Sequence, residues 1–203
     1  MKNRLYIFGL ALVILCLFAT AAFAVTPTAY VKGILDQVIA IQNDPARSGP
    51  EHRSARAQAI RQIIQKSFDF NLMAQNSLGS VYGGLSAGQR QDFVNTFSYL
   101  FQDSYTRLVL DFLKKETIKY EQERRQGSGT RVNTKLIRTN ETIPVDYLMR
   151  PQGDGWLLYD VIVDGVSILD NYKRQFAQVI RTNSFDFLLK KMKTQKQALQ
   201  YSG

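Results

Sequence analysis

The chain has 203 residues, 45% of them hydrophobic and 21% charged, with 26 Lys plus Arg against 17 Asp plus Glu and a formal net charge of +9. That balance excludes an intrinsically disordered chain and supplies enough apolar side chains for one domain with its own core. One cysteine and one histidine exclude a disulfide framework and the usual zinc and iron–sulfur ligand sets. The basic excess points to anionic lipid head groups or an acidic protein surface before nucleic acid.

Lys2 and Arg4 precede an uncharged run from Leu5 to Phe18, and Ala22-Phe23-Ala24 follows as a small-x-small cleavage site. Residues 1–24 therefore read as a cleaved secretory signal peptide, shorter in its apolar run than the roughly 20 residues of a spanning helix. Cys16 lies inside that run after Leu15, which does not suit a lipoprotein signal. Residues 25–203 are then a single cysteine-free domain that enters an oxidising space and relies on its core alone.

Val31, Ile34, Leu35, Val38 and Ile41 recur at three- and four-residue steps after Pro27, which predicts a first helix. The stretch Asn43 to Pro50 breaks the pattern as a loop. Ala55, Ala59, Ile60, Ile63 and Ile64 then predict a second helix whose other face carries Arg53, Arg56, Arg61 and Lys66. A fresh cap in Ser67-Phe68-Asp69-Phe70 opens a short helix that stops at Gly79. Ser86 and Gln89 form a capping box before the clearest helix, whose stripe runs from Phe93 through Phe97, Phe101, Tyr105 and Leu108 to Phe112.

From Thr117 the period changes to two. Strands are predicted at 117–125, 130–138, 142–150 and 155–164, an antiparallel meander. Ile143, Val145, Tyr147 and Met149 share one face of the third strand, and Leu157, Tyr159, Val161 and Val163 one face of the fourth. Trp156, Leu158 and Ile162 make the fourth apolar on its other face too, so it is expected to be central or covered on both sides. Ile168, Leu169, Tyr172, Phe176, Val179 and Ile180 return to helical spacing, and Ser184 caps a last helix. Helices, meander and helices describe an α+β domain with helices on one face of a curved antiparallel sheet.

Catalytic constellations are weak. Gly84-Leu85-Ser86-Ala87-Gly88 fits G-x-S-x-G, but helix and turn precede Ser86 and no histidine follows it. His52 stands in a polar, Arg-rich segment without a ligand partner. Asp146 and Asp160 are the candidate acid–base carboxylates, and strand parity points both away from the apolar face. The apolar interior itself remains, either as a filled core or as a hollow one.

Several motifs together resemble the MlaC family of periplasmic phospholipid-binding proteins, also known as toluene-tolerance auxiliary components. They are Phe68-Asp-Phe-x-x-Met73, Ser77-Leu-Gly79, Leu85-Ser-x-x-Gln89-Arg90-x-x-Phe93, Val145-Asp-Tyr147, Gly155-Trp156-x-x-Tyr159-Asp160-Val161, Gly165-Val166-Ser167 and Asn171-Tyr172-x-x-x-Phe176. Tyr82 stands where relatives often carry Trp. The resemblance implies an NTF2-like curved sheet of about four strands with helices enclosing an apolar lipid cavity. It also implies a non-enzymatic periplasmic carrier without cofactors. Its cargo is phospholipid, or a hopanoid as in some relatives, and its partners are an outer-membrane MlaA-type lipoprotein complex and the MlaD-type hexamer of an inner-membrane ABC transporter.

For such a carrier the expected lipid lining is Phe97, Phe101, Tyr105, Val109, Val145, Tyr147, Tyr159, Val161, Val163 and Tyr172. The expected docking residues are Arg53, Arg56, Arg61, Arg90, Lys173 and Arg174. An exported NTF2-like enzyme acting on an apolar substrate is the rival reading, and an adaptor with a filled core is a third.

Overall fold

The computed structural model describes residues 25–114 and 116–201; the signal-peptide reading of residues 1–24 lies outside them. Helix α1 (Pro27–Asn43) starts on Thr26, whose hydroxyl accepts from the Ala29 amide, with Pro27 in the first turn. Two single 3₁₀ turns, Pro45–Arg47 and Pro50–His52, bridge to α2 (Arg53–Ser67). Asp69 caps α3 (Phe70–Leu78), and Gly79 ends it at φ 58°, a left-handed conformation that glycine adopts without a side-chain penalty. The short α4 (Ser80–Gly83) has no counterpart in the sequence pattern. Both hydrogen bonds of the Ser86/Gln89 capping box are present at the start of α5 (Ala87–Phe112), the longest element among the described residues.

The strands are β1 (Thr117–Gln126), β2 (Gly129–Ile137), β3 (Thr142–Gln152), β4 (Gly155–Val163) and the two-residue β5 (Val166–Ser167). They pair antiparallel in chain order. The β4–β5 hairpin turns on Asp164 and Gly165, both at positive φ (50° and 77°), the backbone that a tight two-residue turn requires. The chain closes with α6 (Ile168–Thr182), capped by Ser167, and α7 (Phe185–Tyr201). The expected four-strand meander is present, and β5 adds a short fifth strand.

β4 is not central: only β5 and a single parallel bridge from Phe68 to Leu158 lie beyond it. It is instead covered on both faces, with Leu158, Asp160 and Val161 all buried. Two irregularities bend the sheet, one in β1 between Tyr120 and Glu123, the other where β3 meets β4. In the second, Tyr147 faces Val161 and Leu148 faces Asp160, but Met149 faces Leu158. Tyr159 is the extra residue, and the side-chain alternation slips there.

One core unites the helices with one sheet face. Phe93, Phe97 and Phe101 of α5 are buried with Val31 of α1, Ile60 of α2, Met73 of α3 and Met149, Leu158 and Val161 of the sheet. Ring contacts run unbroken from Phe93 through Phe97 and Phe101 to Tyr105, at centroid separations of 5.5–6.0 Å. The opposite sheet face is polar where Arg131 and Asn133 bond Asp146.

Candidate functional site

The apolar stripe of α5 changes character along its length. Its N-terminal half is closely packed against its neighbours: Phe93 and Phe97 meet Phe176 edge-on, and Phe68 contacts Phe101 and Tyr105. Its C-terminal half is not, because Leu108 and Phe112 remain 41% and 51% exposed. There the helix stands off the sheet over a cavity of about 230 Å³. Leu108, Val109 and Phe112 form the helix wall, and Ile118, Leu136, Ile143, Val145, Tyr147 and Val163 form the sheet wall. A more open groove of about 410 Å³ runs between α5, α6 and α7, and Leu108 borders both spaces.

Of the ten residues expected to line a lipid, Val109, Val145, Tyr147 and Val163 border the cavity. Phe97, Phe101, Tyr105 and Tyr172 border the groove. Val161 and Tyr159 border neither: Val161 is core at 1% exposure, and Tyr159, the bulged residue, lies beside Gly129. Strand parity groups Tyr159 with Val161, and the extra residue in β4 breaks that grouping. The walls also contain residues outside the expected set. Leu108, Phe112 and Ile143 belonged to the same sequence stripes, whereas Thr134 and Leu136 become visible only through the β2–β3 register that sets Thr134 opposite Val145.

The polar content of the cavity is small and specific. Thr134 donates its hydroxyl to the Val145 carbonyl at 2.7 Å. Burial pushes the Tyr147 hydroxyl well above the usual phenol range, and the neighbouring Tyr105, Tyr120 and Asp146 act in the same direction. Burial also raises Tyr105, and Tyr120 is pushed up to about 12 by burial and then by Asp36. These phenols stay neutral around pH 7. No carboxylate lines the cavity among the described residues, and Arg138 is its one charged wall residue.

Asp160 points to the sheet face opposite Val161, as parity predicts, yet it is buried. The reason is tertiary: β5 and α6 fold over it, so that its carboxylate accepts from the Ser167 hydroxyl and from the Val161 and Leu169 amides at 2.8 and 3.0 Å. Burial raises its pKa, and these three hydrogen bonds oppose the shift. Ser86 is a helix cap, as its capping box showed, and His52 is exposed beside Glu51. Among the described residues no group of three His, Cys, Asp or Glu is arranged to hold a metal, and no helix is long and apolar enough to cross a membrane.

The expected docking cations do not form one patch. Arg53 pairs with Asp111 at 2.8 Å, Arg56 donates to the Gly49 carbonyl, and Arg61 stacks over Tyr99, all around α2. Arg90 instead holds the Tyr82 and Gly83 carbonyls and stacks on Tyr82, with Lys173 of α6 beside Gly79. Arg174 is exposed on α6.

The family model of MlaC protein matches residues 32–194. The chain belongs to the MlaC family. A curated relative, the intermembrane phospholipid transport system binding protein MlaC of Haemophilus influenzae, is 28% identical over 121 residues, or 57% of this chain. The match spans 56% of that relative, so the chain covers about half its length. A solved structure of a phospholipid-binding protein from Ralstonia solanacearum, in complex with a phospholipid, is similar at a TM-score of 0.70. It covers 85% of this chain and 97% of its own, at 23% identity. That likeness establishes the fold: this MlaC-family chain shares the α+β architecture of the Ralstonia solanacearum protein.

Proposed function

We propose that this chain is a periplasmic carrier that moves phospholipid between the inner and outer membranes, and so maintains outer-membrane lipid asymmetry. The observation that carries this reading is the apolar cavity between the exposed end of α5 and the sheet, in a member of the MlaC family. A lipid with about 30 methylenes gives up on the order of 24 kcal/mol on leaving a bilayer for water, so a carrier must offer an almost equivalent apolar lining. Val109, Val145, Tyr147 and Val163 begin that lining. At about 230 Å³ the cavity is smaller than the roughly 300–1,000 Å³ of drug-sized ligand sites. Loading therefore displaces Leu108 and Tyr105 and joins cavity to groove, which brings Phe97, Phe101 and Tyr172 into contact with the tails.

The cargo is lipid, and no cofactor enters the reading. The signal peptide at residues 1–24 delivers the chain to the periplasm. An MlaD-type hexamer on the inner membrane and an MlaA-type lipoprotein complex on the outer membrane are the exchange partners. The two basic areas, Arg53/Arg56/Arg61 and Arg90/Lys173/Arg174, supply contacts to their acidic surfaces. The enzyme reading needs an acid or base inside the cavity, and Asp160 does not serve: it lines neither space, and its carboxylate already accepts from the Ser167 hydroxyl, the Val161 amide and the Leu169 amide in the first turn of α6.

The test is native mass spectrometry of protein purified from periplasm without detergent, followed by lipid extraction. A stoichiometric adduct in the phospholipid mass range supports the carrier, and a bare polypeptide mass from several preparations overturns it.

A further inference from the structure

Charge is spread unevenly along the chain. Residues 168–201, which form α6 and α7, carry seven Lys and Arg against two Asp, whereas residues 25–167 carry 17 Lys and Arg against 15 Asp and Glu. The four basic residues of α7 are all lysine. Lys193 pairs with Asp92 of α5 at 2.7 Å, and Lys196 lies 5.2 Å over the Tyr99 ring. Asp186 accepts from Gln89 of α5 at 3.3 Å. Lys190 and Lys191 are exposed and enter no ion pair or hydrogen bond among the described residues. On α6, Arg181 donates to Gln178, Lys173 lies beside Gly79, and Asp170 and Arg174 are exposed.

Buried Phe185, Leu188, Leu189 and Met192 fix which way α7 faces. At about 3.6 residues per turn the opposite side presents Phe187, Lys190, Lys191, Thr194, Ala198 and Tyr201, all exposed. Phe187 is 48% exposed and Tyr201 92%, so an aromatic ring stands near each end of this face with the two unpaired lysines between them. Phe187, Lys191 and Gln195 follow one another in a single row at four-residue steps, and Gln195 lines the open groove between α5, α6 and α7. The outer face of α7 therefore borders that groove.

We propose that the outer face of α7 docks on the surface of an anionic phospholipid bilayer, with Phe187 entering the head-group layer and Lys190 and Lys191 meeting lipid phosphates. This goes beyond the carriage of lipid: it assigns the membrane contact itself, on a face that none of the expected docking residues shares. The chemistry of the face selects a bilayer over an acidic protein. Lysine is a mobile point charge, matched to phosphates that diffuse in a fluid surface. Fixed carboxylates suit guanidiniums held in place, as Arg53, Arg56 and Arg61 are on α2. A lone exposed ring enters a head-group layer without needing a matching pocket. Each lysine close to an anionic membrane strengthens partition about fivefold, so the two together give roughly 25-fold, a hold that orients the protein and still releases it. Docked in this way, the protein brings the rim of its groove to the bilayer.

The experiment sediments protein purified from periplasm with vesicles of phosphatidylcholine alone, or of phosphatidylcholine and phosphatidylglycerol in equal parts, and measures the bound protein. Wild type is expected to partition about tenfold or more in favour of the mixed vesicles, and to lose most of that preference at high salt. Lys190→Gln combined with Lys191→Gln should lower partition about tenfold, and Phe187→Ser about threefold. Thermal melting accompanies each variant, and the exposed lysine pair decides the question if Phe187→Ser is destabilised. Lys66→Gln combined with Lys119→Gln removes the same charge from exposed positions on α2 and β1 and should leave partition within about twofold. Equal losses from the two lysine pairs would assign the binding to net charge and overturn the α7 site, as would an α7 pair that binds like wild type. Wild type that ignores both vesicles, or binds both alike, overturns the proposal and leaves the face to an acidic protein surface. The readout is bound protein and not extracted lipid, so a failure of the carrier reading leaves this result untouched.

Discussion

Asp69 and Arg150, 81 residues apart in the chain, join their side chains where α2, α3 and the end of β3 meet. The same Asp69 carboxylate accepts from the Leu72 amide at 3.0 Å to cap α3, and its own amide donates to the Leu158 carbonyl at 2.7 Å. One buried residue thus ties a helix start to both β3 and β4. Asp69→Ala removes a cap and leaves Arg150 without its carboxylate, and should cost about 2–4 kcal/mol. Urea denaturation measures this; a loss under about 0.5 kcal/mol would show the tie to be dispensable.

Asp160 gives a pH signature. Burial raises its folded-state pKa above the ordinary carboxylate value, so the folded protein binds a proton more readily than the unfolded chain. The stability from that protonation is full at pH below the unfolded pKa of about 4 and is lost as pH rises through the higher folded value. The difference in Tm between wild type and Asp160→Asn should therefore fall as pH rises from about 4 and then level off. A difference that grows with pH would reverse the sign of the shift.

Val145 and Val161 share a sheet face but belong to different environments, one on the cavity wall and the other in the core. Val145→Glu should leave the circular dichroism spectrum native and reduce lipid co-purification by about tenfold, because the carboxylate sits where tails belong. Val161→Glu should fail to fold, at a cost above about 4 kcal/mol. Equal behaviour of the two variants would erase the boundary between cavity and core.

Gly129 begins β2 under β3. A Cβ there would collide with the Met149 carbonyl oxygen, which belongs to the ladder and has no flexible end to move away. Gly129→Ala should cost about 2–3 kcal/mol in chemical denaturation. A neutral result would mean that the β2–β3 spacing relaxes freely.

The docking role proposed for Arg53, Arg56 and Arg61 predicts a salt dependence. Binding to an MlaD-type partner should weaken by about tenfold between low and physiological-to-high ionic strength. Reversing Arg53 or Arg61 to Glu should reproduce that loss at low salt, measured by surface-immobilised binding. Insensitivity to both would remove the electrostatic contribution.

Local order was legible in the chain itself. Asp69, Ser86 and Ser184 each precede a helix whose free amides they satisfy, and that chemistry acts within three residues, so sequence alone places it. The four long strands were equally readable, because their alternation and their turn residues are local. Readability ended at Tyr159, where one extra residue in β4 slips the alternation against β3.

The sequence by itself determined the helices other than the short α4, the meander, and an apolar surplus concentrated on α5 and on β3 and β4. Only the tertiary structure decided how that surplus divides. Phe93 to Phe101 are enclosed because α3, α6 and α7 crowd the first half of α5, whereas Leu108 and Phe112 stand over a cavity between the helix and the sheet. The placement of Arg138 on that cavity's wall, and of Asp160 beneath α6, follows from contacts between distant segments. Hydrophobic spacing reports which side of an element is apolar; whether that side meets another side chain or an empty volume depends on how far apart the packed elements stand.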